Sequence, residues 1–307
     1  KLKCYCIDAA EIAERVGLGG RINVIMQTAF FIISGVLPKD EAIKLIRQAV
    51  EDTYGNKGPD VVDRNLKAID EALNSIEEVD YPDHTVGEAH MVPPVPKSAP
   101  QFVQEVTGKI IAGKGTEIPV SKLPDDGTYP TGTTQYEKRN IAESVPVWDP
   151  DTCIQCGDCS AVCPHAVIRL KVYDPKYLEN APETFKSTEA KGKEFKGQKF
   201  TIQISPEDCT GCGACVNICP AYKKDEQGNK TERKAINMED IIPLRDTEME
   251  NYEFFRKIPF PDRSILKVHT TKGSQLLKPL FEFSGACAGC GETPYVKLLS
   301  QFFGDRA

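Results

Sequence analysis

The chain contains Cys153-Ile-Gln-Cys156-Gly-Asp-Cys159-Ser-Ala-Val-Cys163-Pro164 and, further on, Cys209-Thr-Gly-Cys212-Gly-Ala-Cys215-Val-Asn-Ile-Cys219-Pro220. Both stretches read C-x2-C-x2-C-x3-C-P. The two-residue gaps keep the first three thiols of each copy close together, and small residues such as Gly157 and Gly213 let backbone N–H groups approach the sulfurs. The proline after the last cysteine turns the chain away. The pattern therefore predicts a compact domain built around two equivalent metal sites.

This spacing is the signature of a ferredoxin that holds two [4Fe–4S] clusters, in which the fourth cysteine of each copy binds the other cluster. The predicted ligands of cluster one are Cys153, Cys156, Cys159 and Cys219. The predicted ligands of cluster two are Cys209, Cys212, Cys215 and Cys163. A single C-x2-C motif is also typical of zinc sites and redox dithiols. Eight cysteines in two matched copies favour clusters over two zinc knuckles, so the domain is interpreted as an electron-transfer module.

Composition narrows the function further. Ten of the 12 cysteines belong to the two C-x2-C-x2-C-x3-C motifs or to the Cys287–Cys290 pair, which is typical of metal binding in a reducing compartment and not of a disulfide-linked secreted protein. The net charge of −7 argues against nucleic-acid binding. We find no signal peptide, and the longest apolar run, Val24–Leu37, is too short to cross a bilayer. A cytoplasmic location is expected.

Residues 1–80 are interpreted as the C-terminal part of an α/β domain whose remaining sheet lies upstream of Lys1. A short strand is predicted over residues 2–8, followed by helices over 9–16, 22–34, 40–54 and 60–76, the last with Asp60 as its N-cap. Cys4 and Cys6 alternate on that strand, so they are expected to be buried and inert.

The segment Gly17-Leu-Gly-Gly-Arg21-Ile-Asn23 brings glycines to the start of a predicted helix. Amides at a helix N-terminus can bind an anion, with Arg21 and Asn23 in the first turn. A plain turn explains the residues equally well.

Residues 81–143 are interpreted as an extended connector, because ten of the chain's 22 prolines lie between positions 81 and 150. One helix is predicted there, with Ser98 as its cap. Its apolar face is expected to contain Phe102, Val103, Val106 and Ile110. His84 and His90 are expected to be exposed loop residues.

Residues 144–243 form the predicted ferredoxin-like domain. Its strands are expected to pair residues 145–148 with 234–238, and residues 167–173 with 200–205. The polar insertion 174–199 is interpreted as a solvated loop, with docking against a neighbouring domain as the alternative. His165 is expected to pack beside a cluster and not to bind one.

Residues 244–307 contain Cys287-Ala-Gly-Cys290, flanked by further glycines. Two cysteines cannot complete a cluster, which takes four. The spacing favours half of a metal site over a redox dithiol.

Three features in this order give the whole chain a resemblance to pyruvate:ferredoxin (flavodoxin) oxidoreductase. They are Gly20-Arg-Ile-Asn-Val-Ile-Met-Gln27, the paired cluster motifs, and Phe281-Glu-Phe-Ser-Gly-Ala-Cys-Ala-Gly-Cys-Gly-Glu-Thr-Pro-Tyr295. The resemblance implies oxidative decarboxylation of pyruvate with thiamine diphosphate and Mg²⁺, transfer of the acetyl group to coenzyme A, and three [4Fe–4S] clusters that pass electrons to ferredoxin or flavodoxin. It also implies a homodimer of the full polypeptide.

Carried over by position, the resemblance makes Cys287 and Cys290 two of four ligands of a third cluster, proximal to the thiamine. It implies that Glu292 and Thr293 lie near that cofactor, and that the region of Arg21 and Asn23 contacts coenzyme A. The remaining ligands and the Mg-diphosphate segment are expected beyond Ala307, and the catalytic residues are unknown. The chain alone is therefore not expected to decarboxylate pyruvate.

The resulting fold prediction is α+β and multidomain. It comprises a partial α/β domain (1–80), a Pro-rich connector (81–143), a bacterial ferredoxin-like 2[4Fe–4S] domain (144–243), and a linker with the start of a thiamine-diphosphate-binding α/β domain (244–307). A different reading remains open at this point, in which the chain is a stand-alone polyferredoxin-type electron-transfer subunit without catalysis of its own. The motif around Cys287 favours the enzyme, because a carrier protein does not need it.

Overall fold

The computed structural model describes residues 2–84, 86–88 and 91–304. The chain divides into two compact units, Lys1–His90 and Met91–Ala307. Predictions for Lys1, His90 and Ala307 themselves lie outside the described residues.

The first unit is mainly helical. Its elements are β1 (Tyr5–Cys6), α1 (Ala9–Arg15), α2 (Asn23–Ser34), α3 (Lys39–Tyr54), α4 (Pro59–Ser75) and β2 (Glu77–Glu78). Helix α4 packs against α1, α2 and α3, and its apolar residues Ala68, Ile69 and Ala72 are fully buried. The four helices predicted from apolar periodicity are thus confirmed.

Two details of this unit differ from the predictions. Helix α4 has Gly58 as its N-cap and Pro59 in its first turn, so the prediction of Asp60 as the cap is wrong. Proline suits that turn because its φ is preset and the missing N–H has no helical acceptor there. The prediction that Cys4 and Cys6 are buried is also wrong, since both are exposed. Strand β1 has only two residues and pairs with the exposed pair Glu77–Glu78.

The predicted helix of the connector is present over residues 101–111, but its middle is a π-helical turn, Val103–Thr107, followed by α5 (Gly108–Ile111). Val103 and Val106 are buried as predicted, whereas Ile110 is exposed. A π turn contains more residues than an α turn, so it rotates later positions away from the apolar face.

The second unit contains the predicted ferredoxin-like strands. Its elements up to residue 240 are β3 (Ser144–Trp148), α6 (Asp158–Ala161), β4 (Ile168–Tyr173), β5 (Thr188–Glu189), β6 (Lys199–Ile204), α7 (Ala214–Ile218), β7 (Tyr222–Lys224), β8 (Lys230–Lys234) and β9 (Ile236–Asp240). Strand β3 pairs antiparallel with β9, and β4 pairs antiparallel with β6. Both predicted pairings are confirmed.

The insertion 174–199 is not a solvated loop, so that prediction is wrong. It contributes β5 to the edge of the β4–β6 sheet and buries Phe185 and Phe195 in the same core as Trp148 and Phe200. The burial of these two rings accounts for the docking of a segment whose composition is otherwise polar.

Three helices follow, α8 (Arg245–Lys257), α9 (Thr271–Gln275) and α10 (Thr293–Phe303). Helix α8 packs against β6 through Tyr252 and Phe255, and α9 packs against α6. In the described part of the chain, no helix combines the length and apolar character needed to cross a membrane.

Candidate metal centre

Two cavities of the second unit are lined by the cysteines of the repeated motif. The first contains Cys153, Cys156, Cys159 and Cys219, and it is walled by apolar side chains that include Trp148, Ile202 and Ile236. Each of these cysteines was predicted for cluster one. The fourth, Cys219, reaches the cavity from the other copy of the motif.

The second cavity contains Cys163, Cys209, Cys212 and Cys215, the four cysteines predicted for cluster two. It is walled by Pro146, Val167, Ile168 and Met238, and His165 also lines it. The two cavities are equal in size, as expected for two identical guests. The crossed arrangement follows because α6 and α7, which carry Cys159 and Cys215, pack against each other.

Backbone amides point at the sulfurs in both copies. The N–H of Gln155 donates to Sγ of Cys153 at 3.3 Å, and the N–H of Gly211 donates to Sγ of Cys209 at 3.4 Å. These are equivalent positions of the two motifs, and both have a left-handed backbone, with φ of 61° and 66°. Such donors stabilise the negative charge of a thiolate–iron site.

The cysteines of each cavity are close enough to interact electrostatically. Burial, followed by the neighbouring Cys163 and Cys212, raises the pKa of Cys209 to about 12. Burial likewise raises the pKa of Cys215 to about 12, and it raises that of Cys159 as well. Buried thiols of this kind become thiolates where a bound metal cation compensates their charge, so four cysteines around one cavity fit an iron–sulfur cluster.

A feature that the sequence did not reveal is the clamp on Gln155. Its side chain donates to the carbonyl of Glu189 at 2.8 Å, and its Oε1 accepts from the N–H of Lys191 at 2.8 Å and from Nζ of Lys272 at 3.1 Å. Nζ of Lys191 donates to the carbonyl of Cys153 at 2.7 Å. The insertion therefore holds the first cysteine loop in its strained conformation. Only its lysine-rich composition could have hinted at this role.

His165 joins the second cavity to the Cys287–Cys290 loop. It is buried, its Nδ1 lies 3.0 Å from the carbonyl oxygen of Ser284, and its own carbonyl accepts from the N–H of Phe283 at 2.8 Å. Burial lowers the pKa of His165. The prediction that His165 packs beside the cluster site agrees with these contacts.

The Cys287–Cys290 loop itself lies against the second cavity. A Cβ atom built on Gly289 would stand 3.8 Å from Cβ of Cys212, so the loop passes close to the side chain of Cys212. Cys287 is exposed and Cys290 is half-buried. Backbone N–H groups of Thr293 and Glu292 lower the pKa of Cys290, which favours its thiolate.

The remaining predicted binding residues lie in two places. Thr293 is buried at the first position of α10, with exposed Glu292 as the N-cap residue. Arg21 and Asn23 are both exposed, and Asn23 is the first residue of α2. Gly17 and Gly19 of the preceding turn have φ of 78° and 58°, conformations that glycine adopts readily.

Three family models match successive regions of the chain. Residues 1–75 match the family described as pyruvate ferredoxin/flavodoxin oxidoreductase, residues 88–142 match a domain of unknown function called EKR, and residues 152–222 match a 4Fe–4S dicluster domain. The cavities and the dicluster match together define a 4Fe–4S dicluster domain within the chain.

Several known proteins match this chain over its whole length. The chain is 55% identical to a pyruvate-flavodoxin oxidoreductase from Nostoc and 49% identical to a pyruvate:ferredoxin oxidoreductase from Moorella thermoacetica. It is 48% identical to a probable pyruvate-flavodoxin oxidoreductase from Escherichia coli. All three alignments cover 100% of the present chain. It therefore corresponds to one segment of these pyruvate-flavodoxin and pyruvate:ferredoxin oxidoreductases. The chain spans about a quarter of the length of these relatives.

Proposed function

We propose that this chain is the electron-relay portion of an enzyme that oxidises pyruvate with coenzyme A to acetyl-CoA and CO2 and reduces ferredoxin or flavodoxin. The proposal is carried by the two four-cysteine cavities together with the Cys287–Cys290 pair, whose loop lies directly beside the second cavity. The names of the relatives supply the substrate and the acceptors. A stand-alone carrier would not need the Cys287–Cys290 loop.

Within this function, each cavity binds one [4Fe–4S] cluster through the four cysteines that line it. When bound, a cluster of this kind accepts a single electron and passes it on. The protein contributes thiolate ligands, amide donors at Gln155 and Gly211, and apolar walls that limit access of water. Cys287 and Cys290 supply two of the four ligands of a third cluster.

The contact between Gly289 and Cys212 supports a direction for the relay. Cys212 lies on the side of the second cavity that faces the Cys287–Cys290 loop, so an electron from that loop enters the ferredoxin-like domain at Cys212. Helices α6 and α7 then connect the second cavity to the first. External ferredoxin or flavodoxin receives the electron from the side of Cys153 and Cys156.

The proposal includes the other cofactors of the longer relatives. Glu292 and Thr293 approach thiamine diphosphate and its Mg²⁺, and Arg21 and Asn23 contact coenzyme A. The division of the chain proposed from its sequence assigns coenzyme A contact to residues 1–80, the two complete clusters to 144–243, and the third cluster with thiamine diphosphate to 244–307. Residues 81–143 form the connector. The full polypeptide functions as a homodimer in the cytoplasm, where reduced cysteines are maintained.

The iron content of anaerobically isolated protein tests the ligand assignment. The wild-type chain should contain about eight iron atoms, the sum over two four-iron clusters. Combining Cys209→Ala with Cys212→Ala should leave about four, as should combining Cys153→Ala with Cys156→Ala, because each pair belongs to a different cavity. Cys6→Ala, at an exposed position outside both cavities, is the control and should keep the wild-type iron content.

Stoichiometric zinc in place of iron would overturn the proposal. So would a loss of all iron from the Cys6→Ala protein with both cavities intact.

A further inference from the structure

A buried lysine from α10 lies between the two cysteine cavities. Lys297 is 1% exposed, and its ammonium donates to the carbonyl oxygen of Ser160 and, at 3.3 Å, to that of Ala161. These two residues stand in the chain between Cys159, which lines the first cavity, and Cys163, which lines the second. The ammonium of Lys297, on a helix far along the chain, is thus hydrogen-bonded to the segment that links the two cavities.

Among the residues that the structure describes, no carboxylate pairs with this charge. In the described part of the chain, its hydrogen bonds run only to the two carbonyls. Burying a cation without an opposite charge is costly, so the fold gains from it only if negative charge arises nearby. The candidates are the thiolates: after the dominant effect of burial, Cys163 and Cys159 raise the pKa of Lys297, while Arg169 lowers it. Burial lowers that pKa to about 8, so most of the molecules carry the charge at pH 7.

The position of Lys297 is fixed by a buried polar network. Oγ of Ser160 donates to Oε1 of Gln275 at 3.0 Å, and Nε2 of Gln275 donates to Oε1 of Gln301 at 3.3 Å. Nε2 of Gln301 donates to the carbonyl of Leu277 at 3.0 Å. Because α9 and α10 are tied to α6 in this way, the ammonium cannot move away from the cavities without breaking several buried hydrogen bonds.

We propose that Lys297 is a built-in positive charge that raises the reduction potentials of the clusters in both cavities. This inference rests on the proposed function. A cluster that accepts one electron gains one unit of negative charge, and a nearby buried cation stabilises that reduced form more than the oxidised one. Helix α10, which starts directly after the Cys287–Cys290 loop, thereby adjusts the driving force of the relay that the loop feeds.

The chain offers a matched control. Lys171 is also 1% exposed, and its ammonium donates to the carbonyls of Phe255, at 2.7 Å, and Ile258. It lies over the rings of Phe255 and Phe260, and the charges that act on it are Arg169, Lys278 and Arg256, with no cysteine among them. Burial lowers the pKa of Lys171 to about 7, so the titrations are run at pH 6, where both lysines carry their charge. Removing Lys171 then deletes a buried cation that also donates to two carbonyls but has no cysteine cavity beside it.

The test is a redox titration of the whole chain, followed by electron paramagnetic resonance, on Lys297→Gln, Lys297→Met, Lys297→Arg and Lys171→Met. Iron content is measured first, so that loss of clusters is separated from a change in potential. Both Lys297→Gln and Lys297→Met should lower both midpoint potentials. At a fixed potential the ratio of reduced to oxidised cluster should fall on the order of tenfold, as for a unit charge acting through a protein interior of effective dielectric near 20. Lys297→Arg and Lys171→Met should titrate like the wild type.

Glutamine retains donors for the two carbonyls but lacks the charge. Wild-type potentials in Lys297→Gln with full iron content would overturn the inference, as would an equal shift in Lys171→Met. Absence of clusters from the wild-type chain would instead refute the proposed function. If Lys297→Met loses iron, Lys297→Gln alone decides.

Discussion

Equivalent glycines in the two cysteine motifs have different surroundings. Gly157 and Gly213 are the N-cap residues of α6 and α7, with φ of 87° and 72°. A Cβ atom on Gly157 would lie 3.1 Å from Cα of Lys272, whereas none of the described atoms lies within 4 Å of a Cβ on Gly213. At this position, therefore, the first copy is packed against the downstream segment, whereas the second copy is open.

This difference predicts unequal costs of the same substitution. Gly213→Ala should destabilise by about 1 kcal/mol, the cost of a left-handed backbone for alanine. Gly157→Ala should cost about 1–3 kcal/mol more, because the backbone of Lys272 must shift. Thermal unfolding midpoints, followed by loss of cluster absorbance, would measure both. Equal midpoints would contradict the close approach of Lys272.

At the scale of elements, Lys171 of β4 fixes the C-terminal end of α8. Its ammonium donates to the carbonyls of Phe255 and Ile258 at the end of the helix, which is a favourable position for a cation. Burial lowers the pKa of Lys171 from its ordinary 10.5 to about 7. A neutral amine still has two N–H groups, so deprotonation keeps both hydrogen bonds possible.

The lowered pKa predicts how stability depends on pH. Below pH 7 the folded and unfolded states both carry the proton, but from pH 7 to 10.5 the unfolded state retains it and the folded state releases it. The stability that Lys171 contributes should therefore rise with pH over this range, on the order of 2 kcal/mol between pH 7 and 9. Calorimetric unfolding midpoints of the wild type should increase relative to Lys171→Met. A difference that stays constant with pH would refute the expectation.

Secondary structure could be predicted where a short pattern was sufficient. The pairing of β3 with β9 and of β4 with β6 follows from two apolar strands around each cysteine motif. Helix α8 was missed because Arg245–Lys257 is mostly charged and buries only Asn251, Tyr252 and Phe255. The role of the 174–199 insertion was missed because it depends on two buried rings and on the clamp of Gln155, neither of which has a local signal.

At the scale of the whole molecule, the connector contacts both the second cavity and the segment that leads to Cys287 and Cys290. Lys138 donates to the buried carboxylate of Asp208 at 2.5 Å, next to Cys209, and Oγ1 of Thr134 donates to the carbonyl of Glu282 at 2.9 Å. Both residues belong to the region that matches the domain of unknown function. We infer that this region braces the second cavity and the Cys287–Cys290 segment together.

The proposed relay predicts the effect of interrupting its inner end. In an active enzyme that contains this chain, Cys290→Ala should abolish pyruvate-dependent reduction of ferredoxin, because one ligand of the third cluster is removed. Dithionite should still reduce the two clusters of the ferredoxin-like domain, and Cys6→Ala should leave the activity unchanged. Rapid pyruvate-dependent reduction in the Cys290→Ala enzyme would exclude that cysteine from the relay.

The sequence by itself determined how the eight cysteines of the repeated motif divide into two sets and which strands pair around them. These properties depend on spacings of a few residues, which constrain the backbone locally. Only the tertiary structure decided that the insertion clamps Gln155, that Gly289 meets Cys212, and that Lys297 lies between the two cavities. The contact of Lys297 with Ser160 joins positions 137 residues apart. Such contacts arise from the packing of α10 on α6, and no local pattern encodes them.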